Sequence, residues 1–482
     1  MRKHNRGFRR IGATVTAVAL ALMGSAALAA PASAVGNLPT EDGTLTIHKY
    51  EQPQPAGAEN NTGGTITVPD AWVPLTGVTF NIQAITDVDL ETNEGWELAA
   101  AYAANPALAT ELGAATPVTT VAGGSTPATT LPIGAYLVTE VASPGATLPD
   151  GSPANIVMMA APFVVTVPVP TDDGTWNSDV HVYPKNSLSA IAKEVGDPTG
   201  PGLGETLPWT IEVKIPTLTA GQSFTHFEIV DALDPKIEYV AGSAAMTVNG
   251  TPVEFTDNTV GQDVALAVSG TGSATLAANQ GETLVVTFET TVLEAGTIEN
   301  DATVYINDPG HNNGVDSNEV FSYWGSIEIL KHAEGDVAQV LEGAVFTVHL
   351  SQADALAGAN AITVDGQTAF ETGPDGTIVI PGLWIGNEAG ATATYWLHEV
   401  EAPAGYEISP AALAIEVVLT AEGADQTVPV RVENPQVPPI ELPITGGEGT
   451  MALMIGGGGL LLLAAGAALV IARRRPAGVS AE

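Results

Sequence analysis

Short apolar runs separated by turn residues recur along most of the chain. Runs rich in Val, Ile and Thr alternate with clusters of Gly, Pro, Asn and Asp, which is typical of β-strands joined by turns. Clear examples are residues 44–47, 163–169, 284–288 and 428–432. One Ala-rich segment, residues 98–112, instead has a helical pattern. The pattern predicts an all-β chain of tandem Ig-like β-sandwiches, with a short helical insertion in the first.

Repeated features divide the chain into three predicted sandwiches. In the first and last thirds, an early strand ends in a lysine and a Val-rich final strand ends in an asparagine. Each of these thirds also has a Tyr-x-x-x-Glu strand before its final strand. We therefore expect the first and last thirds to be divergent copies of one unit. The predicted sandwiches cover residues 35–186, 187–323 and 324–437, with junctions near 186–189 and 322–325.

Both ends of the chain have the pattern of targeting segments. Basic residues precede an apolar run and an A-x-A site, which predicts a secretory signal peptide over residues 1–34. Residues 451–472 form an uncharged apolar run that is long enough to span a bilayer as a helix. The arginines at 473–475 follow directly, so the predicted tail, residues 473–482, is cytoplasmic.

A linker over residues 438–450 contains an LPxTG sequence just before the apolar span. LPxTG, apolar span and basic tail, in that order, resemble the sorting signal of Gram-positive surface proteins. In that family a sortase cysteine attacks the threonine carbonyl and releases the rest of the chain, and the acyl group passes to an amine. The resemblance therefore implies anchoring to the cell wall. The matching residues are Leu442, Pro443, Ile444, Thr445 and Gly446.

Composition narrows the possible functions. The 482 residues include 54 acidic and 15 basic ones, for a formal net charge of −39. Such a surface repels phosphate backbones, so we expect no nucleic-acid partner. Cysteine is absent, which excludes disulfides, Cys-ligated metals and a cysteine nucleophile. Lysine is so rare between residues 35 and 445 that the position of each one is informative.

Strand parity places several of these lysines on apolar faces. Successive side chains on a strand point to opposite sides, so residues two apart share a face. By this rule each domain has one inward amine, one inward amide and one inward carboxyl. The predicted sets are Lys49, Asn186 and Glu140; Lys193, Asn300 and Asp231; and Lys331, Asn434 and Glu399.

Two interpretations of these inward groups stay open. A buried charge is costly unless it is paired, so each set can be a buried ion pair. Alternatively, burial favours the neutral forms of lysine and of the carboxyl. A neutral amine is a nucleophile, and a protonated carboxyl can act as a general acid–base on the asparagine amide. The product is an intramolecular Lys–Asn isopeptide bond, with loss of ammonia.

Two longer motifs identify the chain as similar to a known family. Residues 395–406 resemble the E-box of Gram-positive pilins, YxLxETxAPxGY, with Val400 in place of the usual Thr. Residues 176–186 match every fixed position of the pilin motif WxxxVxVYPKN. Together with the sorting signal, these motifs resemble a SpaA-type major pilin, the fimbrial backbone subunit, with CnaA- and CnaB-type sandwiches.

The resemblance implies a role for most of the residues already singled out. The amine of Lys185 attacks the acyl intermediate that a pilin-class sortase forms at Thr445 of another copy, so copies join into a covalent pilus. Parity agrees, because Lys185 points away from the face of Asn186. Further implied partners are accessory or tip pilins and a peptidoglycan precursor. The family also implies the isopeptide bonds, although some such pilins lack the one in the first domain.

The remaining residues suggest no catalysis. No H-E-x-x-H or paired histidine spacing, G-x-S-x-G or P-loop is present, so we expect no metal, no cofactor and no enzyme activity. The polar loop 308–316 is interpreted as a turn rather than a cation site. Lys214 and Lys236 are expected at the surface or in a turn, without a role. The alternative function is a monomeric wall-anchored adhesin, and no receptor, host or bacterial, can be named from the sequence.

Overall fold

The computed structural model describes residues 38–53, 62–219 and 221–440. The predicted signal peptide, sorting motif, membrane span and tail lie outside these residues. The described chain divides into two compact units. The first consists of residues 38–199, 205–293 and 298–322, and the second of residues 200–204, 294–297 and 323–440.

The N-terminal part of the first unit is built from short strands and one helix. Its core contains Leu45, Phe80 and Val138, all with no exposed surface. The elements are β1 (Gly43–Ile47), β2 (Tyr50–Glu51), β3 (Thr79–Ala84), α1 (Asn93–Ala104), a 3₁₀ turn (Pro106–Leu108), β4 (Thr116–Thr119), β5 (Thr129–Leu131), β6 (Gly134–Val141), β7 (Ile156–Met158), β8 (Phe163–Val167), β9 (Val169–Pro170), β10 (Trp176–Asn177), β11 (Asp179–Val182) and β12 (Lys185–Leu188).

Pairing in this part joins its first strands to its last ones. β1 runs parallel to β11, and β2 runs parallel to β12. A separate sheet has the order β4-β3-β6-β8. The chain therefore begins and ends this part on adjacent strands, a geometry in which a side-chain cross-link closes nearly the whole segment.

The rest of the first unit holds two antiparallel sheets. One has the order β13-β14-β21-β17-β18, and the other has the order β19-β20-β15-β23-β24. The elements are β13 (Ile191–Val195), β14 (Thr206–Lys214), β15 (Phe227–Ala232), β16 (Ile237–Tyr239), β17 (Ala245–Val248), β18 (Thr251–Pro252), β19 (Phe255–Asp257), β20 (Asp263–Val268), α2 (Gly272–Ala278), β21 (Thr283–Val292), β22 (Gly296–Asn300), whose first two residues belong to the second unit, β23 (Thr303–Ile306) and β24 (Val315–Asp316).

The second unit also contains two sheets. Long strand β25 pairs antiparallel with β26 and β29 and parallel with the last strand, β32. The other sheet has the order β28-β27-β30-β31. The elements are β25 (Val320–Ala333), β26 (Asp336–Val340), β27 (Val345–His349), α3 (Gln352–Ala357), β28 (Phe370–Glu371), β29 (Thr377–Gly386), β30 (Thr392–Glu401), a 3₁₀ turn (Pro410–Leu413), β31 (Ile415–Thr420), a 3₁₀ turn (Ala421–Gly423) and β32 (Thr427–Asn434).

The inserted helix lies earlier than the Ala-rich pattern predicts. It covers Asn93–Ala104 instead of residues 98–112. The start is fixed by Thr92, whose hydroxyl accepts a hydrogen bond from the Gly95 amide, as an N-cap does. The end is fixed by Pro106, which cannot continue the backbone hydrogen bonding of a helix. Two short helices, α2 and α3, were not predicted.

Both predicted junctions coincide with strands. Residues 186–188 belong to β12, and residues 322–325 lie inside the continuous strand β25. Among the helices of the described residues, none combines the length and the apolar composition that a membrane crossing requires.

Candidate functional site

The first predicted set of amine, amide and carboxyl is assembled in the core of the first unit. Lys49 and Asn186 have no exposed surface, and Glu140 is 7% exposed. The Lys49 ammonium donates to Glu140 Oε2 at 2.7 Å and to Asn186 Oδ1 at 2.5 Å. The Asn186 amide donates in turn to Glu140 Oε1 at 2.5 Å. The three side chains form a closed ring of hydrogen bonds that is buried in the core.

The fold positions this ring through strand register. Lys49 directly precedes β2, which runs beside β12, where Asn186 lies. Glu140 lies on β6, directly opposite Phe80 of β3. The Phe80 ring lies 5.5 Å from the lysine nitrogen and forms part of its apolar wall.

Burial changes the ionisation of this lysine. Removal from water lowers the pKa of Lys49 from 10.5 to about 8, and the nearby Glu140 carboxylate opposes that shift only in part. The backbone amide of Ala160 donates to Asn186 Oδ1 at 2.7 Å and to Glu140 Oε2 at 3.1 Å. The amide donor polarises the same carbonyl that the amine faces.

The second set is buried in the middle part, where β13 supplies Lys193, β15 supplies Asp231 and β22 supplies Asn300. Lys193, Asp231 and Asn300 are each at most 2% exposed. The Lys193 ammonium donates to Asp231 Oδ2 and, at 3.0 Å, to the carbonyl of Asp301. The ring of Trp209 lies 4.8 Å from the lysine nitrogen. The residue next to Asn300 in sequence therefore bonds the lysine directly.

The Asn300 amide differs from its counterpart in the first set. Its Oδ1 and Nδ2 atoms are buried and form no aligned hydrogen bond among the described residues, and neither does Asp231 Oδ1. Desolvation raises the pKa of Asp231, which Lys193 and the nearby Asn300 amide partly oppose. Desolvation also lowers the pKa of Lys193. Buried unsatisfied polar atoms are costly, so this arrangement favours a rearrangement that pairs or consumes them.

The third set lies in the second unit. Lys331, Glu399 and Asn434 have no exposed surface. Glu399 accepts from the Lys331 ammonium at 3.1 Å and from the Asn434 amide at 2.5 Å. Lys331 and Asn434 lie on the adjacent parallel strands β25 and β32, two positions apart in register.

The pKa shifts in the third set have the same directions as those in the second set. Desolvation lowers the pKa of Lys331 and raises the pKa of Glu399, while their mutual attraction opposes both shifts. The state with a neutral amine and a protonated carboxyl is therefore more populated in this site than it would be in water. Such a group can attack an amide carbon while the carboxyl transfers the proton to the departing nitrogen. The nine predicted residues therefore form three buried sets, each with one lysine, one carboxyl residue and one asparagine.

Lys185 occupies a different environment from the three buried lysines. It begins β12, and its side chain is half-buried, whereas the adjacent Asn186 is fully buried. Its ammonium stands 3.6 Å from the centre of the Trp72 ring, a cation–π contact. Tyr50 packs edge-on against Trp72 and stacks loosely with Tyr183. Lys185 is therefore less buried than Asn186, and its amine rests on an aromatic surface.

The other described lysines that were expected to have no role are engaged in ion pairs. Lys214 is bonded to Glu51 at 2.8 Å, which joins β14 to β2 within the first unit. Lys236 pairs with Asp234 at 3.2 Å in a turn, as its position after Asp-Pro predicts. Both pairs are partly exposed, and solvent screening leaves such pairs only a small contribution to stability.

Two features were missed by the sequence analysis. One is the contact between Trp72 and Lys185, which no local pattern signals because Trp72 lies in a long connection more than 100 residues earlier. The other is a group formed by His226, Glu228 and His311. Sequence spacing signals two of its three members, since His226 and Glu228 are two residues apart and share one face of a strand.

Comparison with known families matches both ends of the described chain. Residues 40–187 match the family described as Gram-positive pilin subunit D1, N-terminal domain. Residues 325–434 match the SpaA prealbumin-like fold domain. The first and third sets of buried residues fall inside these two matches.

Similar proteins and structures cover nearly the whole chain. Fimbrial subunit type 2 of Actinomyces naeslundii is 31% identical, over 92% of this chain and 92% of that protein. Fimbrial subunit type 1 of Actinomyces viscosus is 30% identical, over 94% and 95% respectively. The full-length major pilin SpaD of Corynebacterium diphtheriae has a similar fold, with a TM-score of 0.66 and 24% identity over 84% of this chain and 99% of that one. The chain therefore belongs to the family of Gram-positive fimbrial (pilin) subunits, which are structural proteins rather than enzymes.

Proposed function

We propose that this chain is the shaft subunit of a covalent pilus. In this proposal a pilin-class sortase joins Thr445 of one copy to Lys185 of the next. The observation that supports it best is the position of Lys185, half-exposed at the start of β12 within a complete pilin motif, while the lysines of the three buried sets are sealed from any enzyme.

The joining step is an acyl transfer. The sortase thiolate attacks the Thr445 carbonyl carbon, the bond to Gly446 breaks, and a thioester forms. The neutral Lys185 amine then attacks the thioester carbon, an amide bond forms, and the thiolate leaves. Because the ammonium rests on Trp72, the enzyme has to lift it from that ring and remove a proton before attack.

Internal isopeptide bonds form the second part of the proposal. In each set the lysine nitrogen attacks the side-chain amide carbon of asparagine, and ammonia leaves with a proton relayed by the carboxyl. The proposed bonds are Lys49–Asn186 with Glu140, Lys193–Asn300 with Asp231, and Lys331–Asn434 with Glu399. The closed hydrogen-bond ring around Lys49 supports including the first domain, where the sequence left the bond open.

These bonds suit a subunit that transmits tension. The first and last bonds connect strands that already lie together, β2 with β12 and β25 with β32. Tension applied at the two ends of such a domain meets a covalent link before it can separate the strands. We further propose that the last subunit passes to a peptidoglycan precursor, that accessory or tip pilins join the same polymer, and that the pilus supports adhesion.

The Lys185→Arg variant tests polymerisation. Arginine keeps the positive charge and the contact with Trp72, but it is not an acyl acceptor for this reaction. We expect secreted, folded monomer and no high-mass ladder on a denaturing gel of cell-wall extracts. The matched Lys214→Arg variant should give the normal ladder. A ladder from Lys185→Arg would refute the proposal and favour another acceptor lysine. If the wild-type chain and both variants all lack a ladder, the result would favour the monomeric adhesin.

A further inference from the structure

Three metal-binding side chains converge in the first unit, away from the isopeptide sets. His311 Nε2 lies 2.8 Å from Glu228 Oε2, and His226 Nε2 lies 3.3 Å from the same oxygen. All three ligand atoms lie within 4.8 Å of one another. Glu228 is buried at 9% exposure, whereas His311 is exposed, so the group is fixed on one side and reachable from solvent on the other.

Two parts of the fold supply these residues. His226 precedes β15 and Glu228 lies on it, so their side chains share a face. His311 lies in the loop between β23 and β24 and has a φ of +55°, a left-handed conformation that is uncommon outside glycine. The ring of Tyr305 stacks on the His311 ring with centroids 4.0 Å apart. Backbone and ring together hold His311 towards the strand.

Hydrogen bonding does not satisfy the whole group. Glu228 Oε2 accepts a hydrogen bond from His311, but His226 Nε2 is buried and has no aligned hydrogen-bond partner among the described residues. The Glu228 oxygen at 3.3 Å is a neighbour of this nitrogen but not an aligned hydrogen-bond partner, and a buried polar atom without an aligned hydrogen bond is costly. A metal ion placed between the three atoms would satisfy it.

Two of the three separations come close to those around a small tetrahedral ion, and the two histidine nitrogens lie within 4.8 Å of each other. Zinc–nitrogen and zinc–oxygen bonds of about 2.0–2.1 Å at tetrahedral angles put neighbouring ligand atoms roughly 3.3 Å apart. The separation from His226 to Glu228 already has this value, and the one from His311 needs to open by a few tenths of an ångström. An exposed loop residue can make that movement without disturbing the sheet.

We propose that His226, Glu228 and His311 form a binding site for a divalent transition-metal ion, best matched by Zn²⁺, with the fourth position open to solvent. Two imidazole ligands favour Zn²⁺ and similar first-row transition-metal ions over Ca²⁺ and Mg²⁺, which prefer oxygen ligands. Sequence spacing alone does not bring the three residues together, because His311 follows Glu228 by more than 80 residues.

The site also has a structural consequence. The loop with His311 contacts the N-terminal part of the same unit, where Asn313 donates to the Ile156 carbonyl at 2.9 Å. Asn307, at the start of this loop, donates a hydrogen bond to the sulfur of Met158. A metal that ties the loop to β15 therefore also restrains its contact with β7, and we expect it to raise the melting temperature.

Metal binding by residues 35–445 after chelator treatment and dialysis tests the proposal. We expect about one Zn²⁺ per chain by calorimetry, and Co²⁺ should give the visible absorption of a tetrahedral nitrogen–oxygen site. Loss of a ligand should cost at least the roughly 10- to 100-fold that outer-shell changes cost. His311→Gln is the main variant, because an exposed side chain can be replaced without loss of folding, and Glu228→Gln is the second.

The exposed Asp316, which lies near the same loop but outside the group, provides the matched control. Asp316→Asn should bind Zn²⁺ like the wild-type chain. Zinc binding that is equally strong in His311→Gln and Glu228→Gln would overturn the proposal, as would the absence of stoichiometric binding by the wild-type chain. Displacement of Zn²⁺ by millimolar Ca²⁺ would also contradict it.

Discussion

Replacing Asn434 by alanine removes the proposed cross-link of the second unit with little other change. The variant lacks the amide carbon that the amine attacks, but Lys331 keeps its 3.1 Å bond to Glu399. The lysine therefore stays paired, and the variant avoids the large cost of leaving a buried charge alone. Any loss of stability then comes mainly from the missing covalent bond.

The size of the effect follows from the positions of the linked residues. Lys331 and Asn434 enclose roughly 100 residues, a loop for which the chain-entropy model gives about 4.7 kcal/mol. For a domain of this size each kcal/mol corresponds to about 4–8 °C in melting temperature. We therefore expect the melting temperature of the second unit to fall by roughly 20–40 °C, while that of the first unit is unchanged.

Intact mass and scanning calorimetry together measure this prediction. The wild-type chain should weigh less than its sequence by about 17 Da per bond, since each bond releases one ammonia. Asn434→Ala should lack one of these deficits. Val432→Ala, which creates a cavity on the same strand, is the control and should keep the full deficit. A wild-type mass equal to that of the sequence, or a normal melting transition in Asn434→Ala, would refute the reasoning.

Two further predictions concern single lysines. In the Asn186→Ala variant Lys49 stays unreacted, with a pKa of about 8 in the folded chain and 10.5 in the unfolded chain. Between pH 8 and pH 10.5 the unfolded chain therefore binds more protons than the folded chain. The free energy of unfolding rises with pH over this range. Chemical denaturation at pH 7.5 and pH 10 measures this; equal stability at both would contradict it. Trp72→Ala should speed acylation of Lys185 by an activated ester several-fold, because the cation–π contact is lost. Peptide mapping quantifies this, with Lys214 as the unaffected control; an unchanged rate at Lys185 would contradict it.

Strand parity predicted the buried sets because it needs only local information. In β25 the alternation of apolar side chains puts Lys331 on the same face as Ile327 and Ile329, and all three are fully buried. The same rule separates Lys185 from Asn186, which are half-buried and fully buried respectively. A lysine on an apolar face is a strong signal, since such residues are almost never buried without a partner.

Features that depend on distant segments were not predictable in this way. The contact of Trp72 with Lys185 and the position of His311 beside Glu228 arise from long connections whose paths no periodicity describes. The helix α1 was misplaced for a local reason, because Ala content was given more weight than the Thr92 cap and the stop at Pro106. Capping residues define helix ends better than composition does.

The link between subunits is tested most directly by tandem mass spectrometry of purified, protease-digested fibres. We expect a branched peptide in which the carboxyl carbon of Thr445 is bonded to the side-chain nitrogen of Lys185. Fibres whose junctions contain a different lysine, or in which every Lys185 is recovered unmodified, would contradict it.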